Sequence, residues 1–116
     1  MEHIGNLDPT DAWLFMKGFE TLTKSEKTII LYLLELDENT YYGTNVRLAQ
    51  VLEYKESYNG EISRSLAKLE KKRIISIHPP ARWYEKKVIL SHNWVSILIK
   101  IGEQVAWYLQ HQYSHL

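Results

Sequence analysis

At Arg73 the apolar residues change their period, and that change constrains the fold more than any other feature of the chain. In Asn59–Arg73 (NGEISRSLAKLEKKR), Ile62, Leu66 and Leu69 fall at i, i+4 and i+7, one stripe of an α-helix. Beyond it lies Ile74-Ile75-Ser76-Ile77-His78, short and β-branched, and then a second such run, Lys87-Val88-Ile89-Leu90-Ser91. Between the two runs, His78–Lys86 (HPPARWYEK) holds two prolines that exclude regular helix. A helix is therefore expected to lead into two strands joined by a proline-containing basic loop.

The other face of that helix carries Ser63, Arg64, Lys68 and Lys71, with Lys72 and Arg73 closing its last turn. Cations there suit the negative end of the helix dipole. Taken alone, a charged outer face is what any core helix presents to water. A basic ridge of this width also fits the DNA major groove. Arg64, two positions beyond Ile62, points away from the apolar stripe near the helix start, where such helices meet base edges. Lys68, Lys71 and the loop residue Arg82 are better placed for phosphates. Asn59 and Lys86 complete the candidate DNA-binding set.

Charge distribution supports that choice. The chain is neutral overall, with 14 Lys/Arg and 14 Asp/Glu. Residues 1–40 hold three Lys/Arg against eight Asp/Glu, whereas residues 41–90 hold ten against five. The basic excess thus coincides with the helix and hairpin, as a localised nucleic-acid footprint would require.

The order of elements follows from caps and periodicity. Asp8-Pro9-Thr10-Asp11 starts a helix running to about Leu22, with Trp13, Met16 and Phe19 at three-residue steps and Phe15 beside them; Trp13 and Phe19 read as core or dimer contacts, and Gly18 is a place for another helix to pack closely. Thr23-Lys24-Ser25-Glu26 is a capping box opening a second helix, Lys24–Leu36, whose Ile29, Ile30, Leu33 and Leu34 suit a central beam. Tyr41-Tyr42-Gly43 reads as a short extended piece. Thr44 or Asn45 caps a third helix to about Glu53, with Val46, Ala49 and Leu52 on one side; Ser57 or, preferably, Asn59 caps the fourth. Ser91 or Asn93 caps the last, Asn93 to about Gln112.

Trp94, Ile97, Leu98, Ile101, Val105, Tyr108 and Leu109 form one stripe of that last helix, widened by Val95, Ile99 and Ala106 beyond what one neighbour needs. Trp94, Leu98, Ile101, Val105 and Tyr108 also repeat in a heptad rhythm, which nominates them for dimerisation.

Other chemistry is sparse. The sequence has no phosphate-cradling glycine loop, nucleophile elbow or metalloprotease helix motif, so no enzyme and no catalytic residue is expected. Of five histidines only His111 and His115 sit at an i, i+4 spacing, without a nearby acid; no metal and no cofactor are expected. Trp83 and Tyr84 beside Arg82 can stack on bases or pack back on the domain, and Trp107 is an interface candidate. At 116 residues without cysteine, the chain reads as one domain suited to a reducing cytoplasm. No apolar run approaches the ~20 residues of a membrane span, and the start lacks a secretory pattern.

Two helices, a short strand, a helix-turn-helix pair, a hairpin and a long helix resemble, in that order, the winged-helix regulators of the MarR (multiple-antibiotic-resistance) type. The residues that carry the likeness are Leu48-Ala49-x-x-Leu52 and Ile62-Ser63-Arg64-x-Leu66-x-x-Leu69-Glu70-x-x-x-Ile74-Ile75. The resemblance implies a mainly α fold with a small β-hairpin wing (α+β), in which about residues 45–91 form the helix-turn-helix and wing and the terminal helices (about 9–22 and 93–112) intertwine in a homodimer. It implies that Ser63 and Arg64 face double-stranded DNA in a sequence-specific transcriptional regulator, with any small-molecule effector unknown. A winged helix of a plasmid or phage replication or partition complex, acting through protein or single-strand contacts, shares the layout.

Overall fold

A computed structural model describes residues 4–54, 59–79 and 85–113. Five α-helices and three strands follow in order among them: α1 (Pro9–Glu20), α2 (Lys24–Glu35), β1 (Thr40–Gly43), α3 (Asn45–Val51), α4 (Asn59–Lys71), β2 (Ile75–His78), β3 (Lys86–Leu90) and α5 (Trp94–Tyr113). They form two compact units, one from Met1–Leu22 with His92–Leu116, the other from Thr23–Ser91.

The first unit is a pair of helices, α1 and α5. Asp8 caps α1 by accepting the Asp11 amide (2.8 Å), with Pro9 in its first turn. The buried residues of α1 are Phe15, Gly18 and, just past the helix, Leu22, while Trp13 and Met16 of the three-residue series are exposed. Gly18 decides which face is buried. A Cβ there would run into the Leu98 carbonyl oxygen, and one on Gly102 would run into that of Leu14. The two backbones therefore meet at glycines from both helices, and the Phe15 ring packs edge-on against Trp94 (centroids 5.6 Å apart).

Two of the residues nominated for dimerisation, Trp94 and Leu98, are 2% and 0% exposed within their own chain and lie in the helix-pair core. Ile101 and Val105 are half-buried, and Tyr108 is exposed. The first amide bond of α5 runs from Ile97 to the Asn93 carbonyl (3.0 Å), which puts Asn93 at the cap position. Ser91 instead ties the chain back to the end of α4, its hydroxyl donating to the Arg73 carbonyl (2.6 Å).

The second unit is built around α2, whose Ile29, Ile30 and Leu33 are buried. Around it lie α3 with Leu48 and Ala49 buried, α4 with Ile62, Leu66 and Leu69 buried, and an antiparallel sheet in the order β1-β3-β2. Val46, expected on the inner side of α3, is exposed. The extended piece at Tyr41 is a third strand beside the hairpin: Tyr41 pairs with Val88 and Tyr42 with Lys87, while Ile75 pairs with Leu90 and Ile77 with Val88. Alternation turns Tyr41, Val88, Leu90 and Ile75 inward. Burying each large apolar side chain in this core stabilises the fold by ~1.5–3 kcal/mol.

Gly43 ends β1 at φ 151°, where a Cβ would collide with the Tyr41 hydroxyl at 2.6 Å. That hydroxyl donates to the Thr44 carbonyl (2.9 Å), and Thr44 caps α3 by accepting the Arg47 amide (3.1 Å). Burial pushes the Tyr41 phenol up, against the downward pull of the Arg47 charge. Among the described residues α4 runs from Asn59, which is helical and so does not occupy the cap position; the residues before it fall outside the described ones.

Both α3 and α4 end the same way. Glu53 and Arg73 each take φ 64°. At the first, Tyr54 donates to the Ala49 carbonyl (2.8 Å) and Glu53 to that of Gln50 (3.0 Å). At the second, Ile74 donates to Leu69 (3.0 Å) and Arg73 to Glu70 (2.9 Å). These are Schellman motifs with a side-chain-bearing residue where glycine is usual.

Candidate nucleic-acid interface

The face of α4 opposite Ile62, Leu66 and Leu69 presents Ser63, Arg64, Ala67, Lys68, Glu70 and Lys71 to solvent. One apolar stripe buried on the unit's core leaves one charged stripe outside, so the sequence dictates which cations are displayed. Arg64, Lys68 and Lys71 have no carboxylate at ion-pair distance among the described residues. The Arg64 guanidinium folds back along the helix: a Cβ on Gly60 would lie 3.3 Å from its Nη1. It therefore sits over the first turn of α4.

Lys72 leaves the ridge. Its ammonium turns inward to Glu26 Oε2 (2.8 Å), and that carboxylate is 1% exposed. The other oxygen of Glu26 accepts the Thr23 amide (3.1 Å), while Thr23 Oγ1 accepts the Glu26 amide (3.2 Å), so the capping box of α2 is also the anchor for the end of α4. Burial alone raises the Glu26 carboxyl, but the Lys72 bond and charge and the Thr23 bonds outweigh it and hold it below the ordinary range.

A second anchor lies one residue earlier on α2. Ser25 Oγ, in a residue 2% exposed, donates to Glu61 Oε1 (2.5 Å) near the start of α4. Its hydroxyl is also 3.1 Å from that of Tyr54; with the serine proton on Glu61, Tyr54 is the donor of that bond.

The sheet supplies the rest of the basic surface. The outward row across its strands is Tyr42, Lys87 and His78, with Lys87 Nζ 5.7 Å from the centre of the exposed Tyr42 ring. Lys86 lines a shallow hollow together with Tyr42, Gly43, Arg47 and Glu85. Of these, Lys86 is legible in the sequence as a basic loop residue and Lys87 as the start of the second β run, whereas Arg47 carries no local signal. Lys87 stands on the hairpin strand β3 itself, and the pairing of β1 with β3 brings Tyr42 beside it, while Arg47 on α3 lines the same hollow as Lys86. Arg82, Trp83 and Tyr84 lie outside the described residues, as does the side chain of Asn59.

No family model and no curated protein matches the chain. Among solved structures, its fold is similar to that of MepR, a transcription regulator of the Staphylococcus aureus multidrug efflux pump MepA. The likeness covers 89% of this chain and 76% of that one, with a TM-score of 0.52 and 18% identity. The chain has a winged-helix fold. Within the winged helix, α3 and α4 are the helix-turn-helix pair, β2 and β3 are the flanks of the wing, and β1 closes the sheet.

Elsewhere the described residues offer little competing chemistry. No group of three or more His, Cys, Asp or Glu among them is placed to hold a metal ion. No described helix is long and apolar enough to cross a membrane. In the helix-pair unit, Trp107, Tyr108 and Leu109 of α5 and Trp13 and Met16 of α1 are exposed, and Trp107 stacks on His111 at 3.8 Å.

Proposed function

We propose that this winged helix binds double-stranded DNA sequence-specifically as a homodimer and regulates transcription. The observation that carries the reading is the division of α4, with Ile62, Leu66 and Leu69 buried and Arg64, Lys68 and Lys71 displayed without acidic partners among the described residues. In the proposed complex α4 enters the major groove. Ser63 and Arg64 face base edges, Lys68 and Lys71 meet phosphates, and Lys86 with Arg82 brings the wing to the backbone. Sharing a fold with a transcription regulator supports the same class of role here.

Dimerisation is proposed through the helix-pair unit, with Tyr108 and Trp107 at its centre and the half-buried Ile101 and Val105 beside them. Large exposed aromatics are the side chains that interfaces favour. Two α4 helices in such a dimer would read half-sites about one helical turn apart.

A salt-titrated binding measurement on random duplex DNA tests the reading. Affinity falling steeply and linearly in log–log form is the expected result. Absence of binding at low salt would exclude it.

A further inference from the structure

One turn of α2 grips α4 near both of its ends. Ser25 bonds to Glu61 in the first turn of α4 (2.5 Å), and Glu26 pairs with Lys72, the first residue beyond it (2.8 Å). Almost the whole of α4 lies between the two contacts. The α2 partners are buried, at 2% and 1% exposure, and neither belongs to the displayed face of α4.

The geometry points to Ser25, Glu26, Glu61 and Lys72 as positioning residues that set the roll and pitch of α4, and through it the aim of Arg64, Lys68 and Lys71. This inference rests on the duplex-binding reading above. The apolar stripe of Ile62, Leu66 and Leu69 already holds α4 down, but apolar contact is non-directional and lets a helix rock on its bed. Charge-assisted bonds are directional, and two of them near opposite ends remove that freedom. A buried ion pair adds little stability over an apolar replacement, so its distinct contribution here is orientation. Contact residues need such support to be held in a productive pose.

Because the Lys72 ammonium is engaged by Glu26, the positioning role assigns it no phosphate contact, and the salt dependence of binding separates positioning from contact. Duplex affinity is measured against salt for wild type, Ser25→Ala, Lys72→Met, Lys72→Arg and Lys68→Ala, with the fold of each checked by circular dichroism. Lys72→Met and Ser25→Ala are expected to bind about threefold to thirtyfold more weakly, the range seen for changes that touch no ligand. Their salt slope should stay at the wild-type value, whereas Lys68→Ala should lower it by about one. Lys72→Arg keeps the charge-assisted bond and should restore affinity to within about twofold of wild type.

Wild-type affinity in Lys72→Met, or the loss of about one slope unit in it, would overturn the positioning role. If Lys72→Met does not fold, Ser25→Ala decides: a folded Ser25→Ala that binds like wild type overturns the inference. A wild-type chain that binds no duplex sinks the DNA reading and the positioning role together, an outcome distinct from either failure among the variants alone.

Discussion

Gly18 and Gly102 face each other across the α1–α5 pair, so closely that a Cβ on Gly18 would lie 3.2 Å from the Gly102 amide nitrogen. A methyl group on either would also be driven into a carbonyl oxygen of the opposite helix, that of Leu98 or of Leu14. Gly18→Ala and Gly102→Ala are therefore expected to destabilise the chain by ~1–3 kcal/mol each. That loss should appear despite the ~1 kcal/mol that alanine gains in helix propensity. Gly5, with nothing within 4 Å of its would-be Cβ, is the control, and thermal melts of the three variants compare them directly.

Acid should loosen the second unit through Glu26. Its carboxyl is held below the ordinary value in the folded chain, so the stability it contributes is fully present above the unfolded pKa of about 4.3. That contribution is lost as pH falls through the lowered folded value. Urea melts from neutral pH down to about pH 3 should show a shallower acid decline in Glu26→Gln than in wild type. Identical pH profiles would remove Glu26 from the acid response.

Glu53 and Arg73, both at φ 64°, occupy helix-ending positions where a Cβ costs energy. Replacing either by glycine relieves that strain, partly offset by the larger entropy glycine loses on folding. A gain of roughly 0.5–1 kcal/mol is expected for Glu53→Gly, read as a raised melting temperature. Arg73→Gly should behave alike, because the Ser91 hydroxyl bonds to the backbone carbonyl of Arg73 and not to its side chain.

The proposed dimer surface predicts a clean separation of assembly from folding. Trp107 and Tyr108 are 60% and 58% exposed, so charged replacements at both should leave helicity unchanged while light scattering reports monomers. Trp94 and Leu98, by contrast, are core, and Leu98→Ala should cost ~2–5 kcal/mol of stability. A dimer unaffected by the paired Trp107 and Tyr108 changes would place the interface elsewhere.

Much of this architecture was legible because burial writes itself into residue spacing. The stripe Ile62-Leu66-Leu69 and the change of period at Ile74 locate α4 and the hairpin without any tertiary information. The capping box at Thr23 and the proline start at Asp8 likewise act through near neighbours in the chain. What could not be read depends on distant partners. The partner that selects the inward face of α1 is Gly102, on a helix at the other end of the sequence, so the series Trp13-Met16-Phe19 does not by itself show that Trp13 and Met16 turn outward. An inward-turned lysine has the same letter as a displayed one, and only the position of Glu26 separates Lys72 from Lys68 and Lys71. Tyr41-Tyr42-Gly43 announced an extended piece, but its partner in β3 lay far along the chain.

The groove-reading role of α4 is tested most directly by one comparison: duplex affinity against salt for wild type, Arg64→Ala and Lys68→Ala, on a preferred site and on random DNA. Arg64→Ala is expected to lose ~1–3 kcal/mol on the preferred site and little on random DNA, relaxing preference at one base step. Lys68→Ala should weaken both DNAs alike and lower the salt slope by about one. Both side chains are exposed, so stability should stay near wild type and the losses can be assigned to binding. If both variants bind both DNAs as tightly as wild type, with the same slope, the basic face of α4 is only a solvated surface and the DNA-reading role is contradicted.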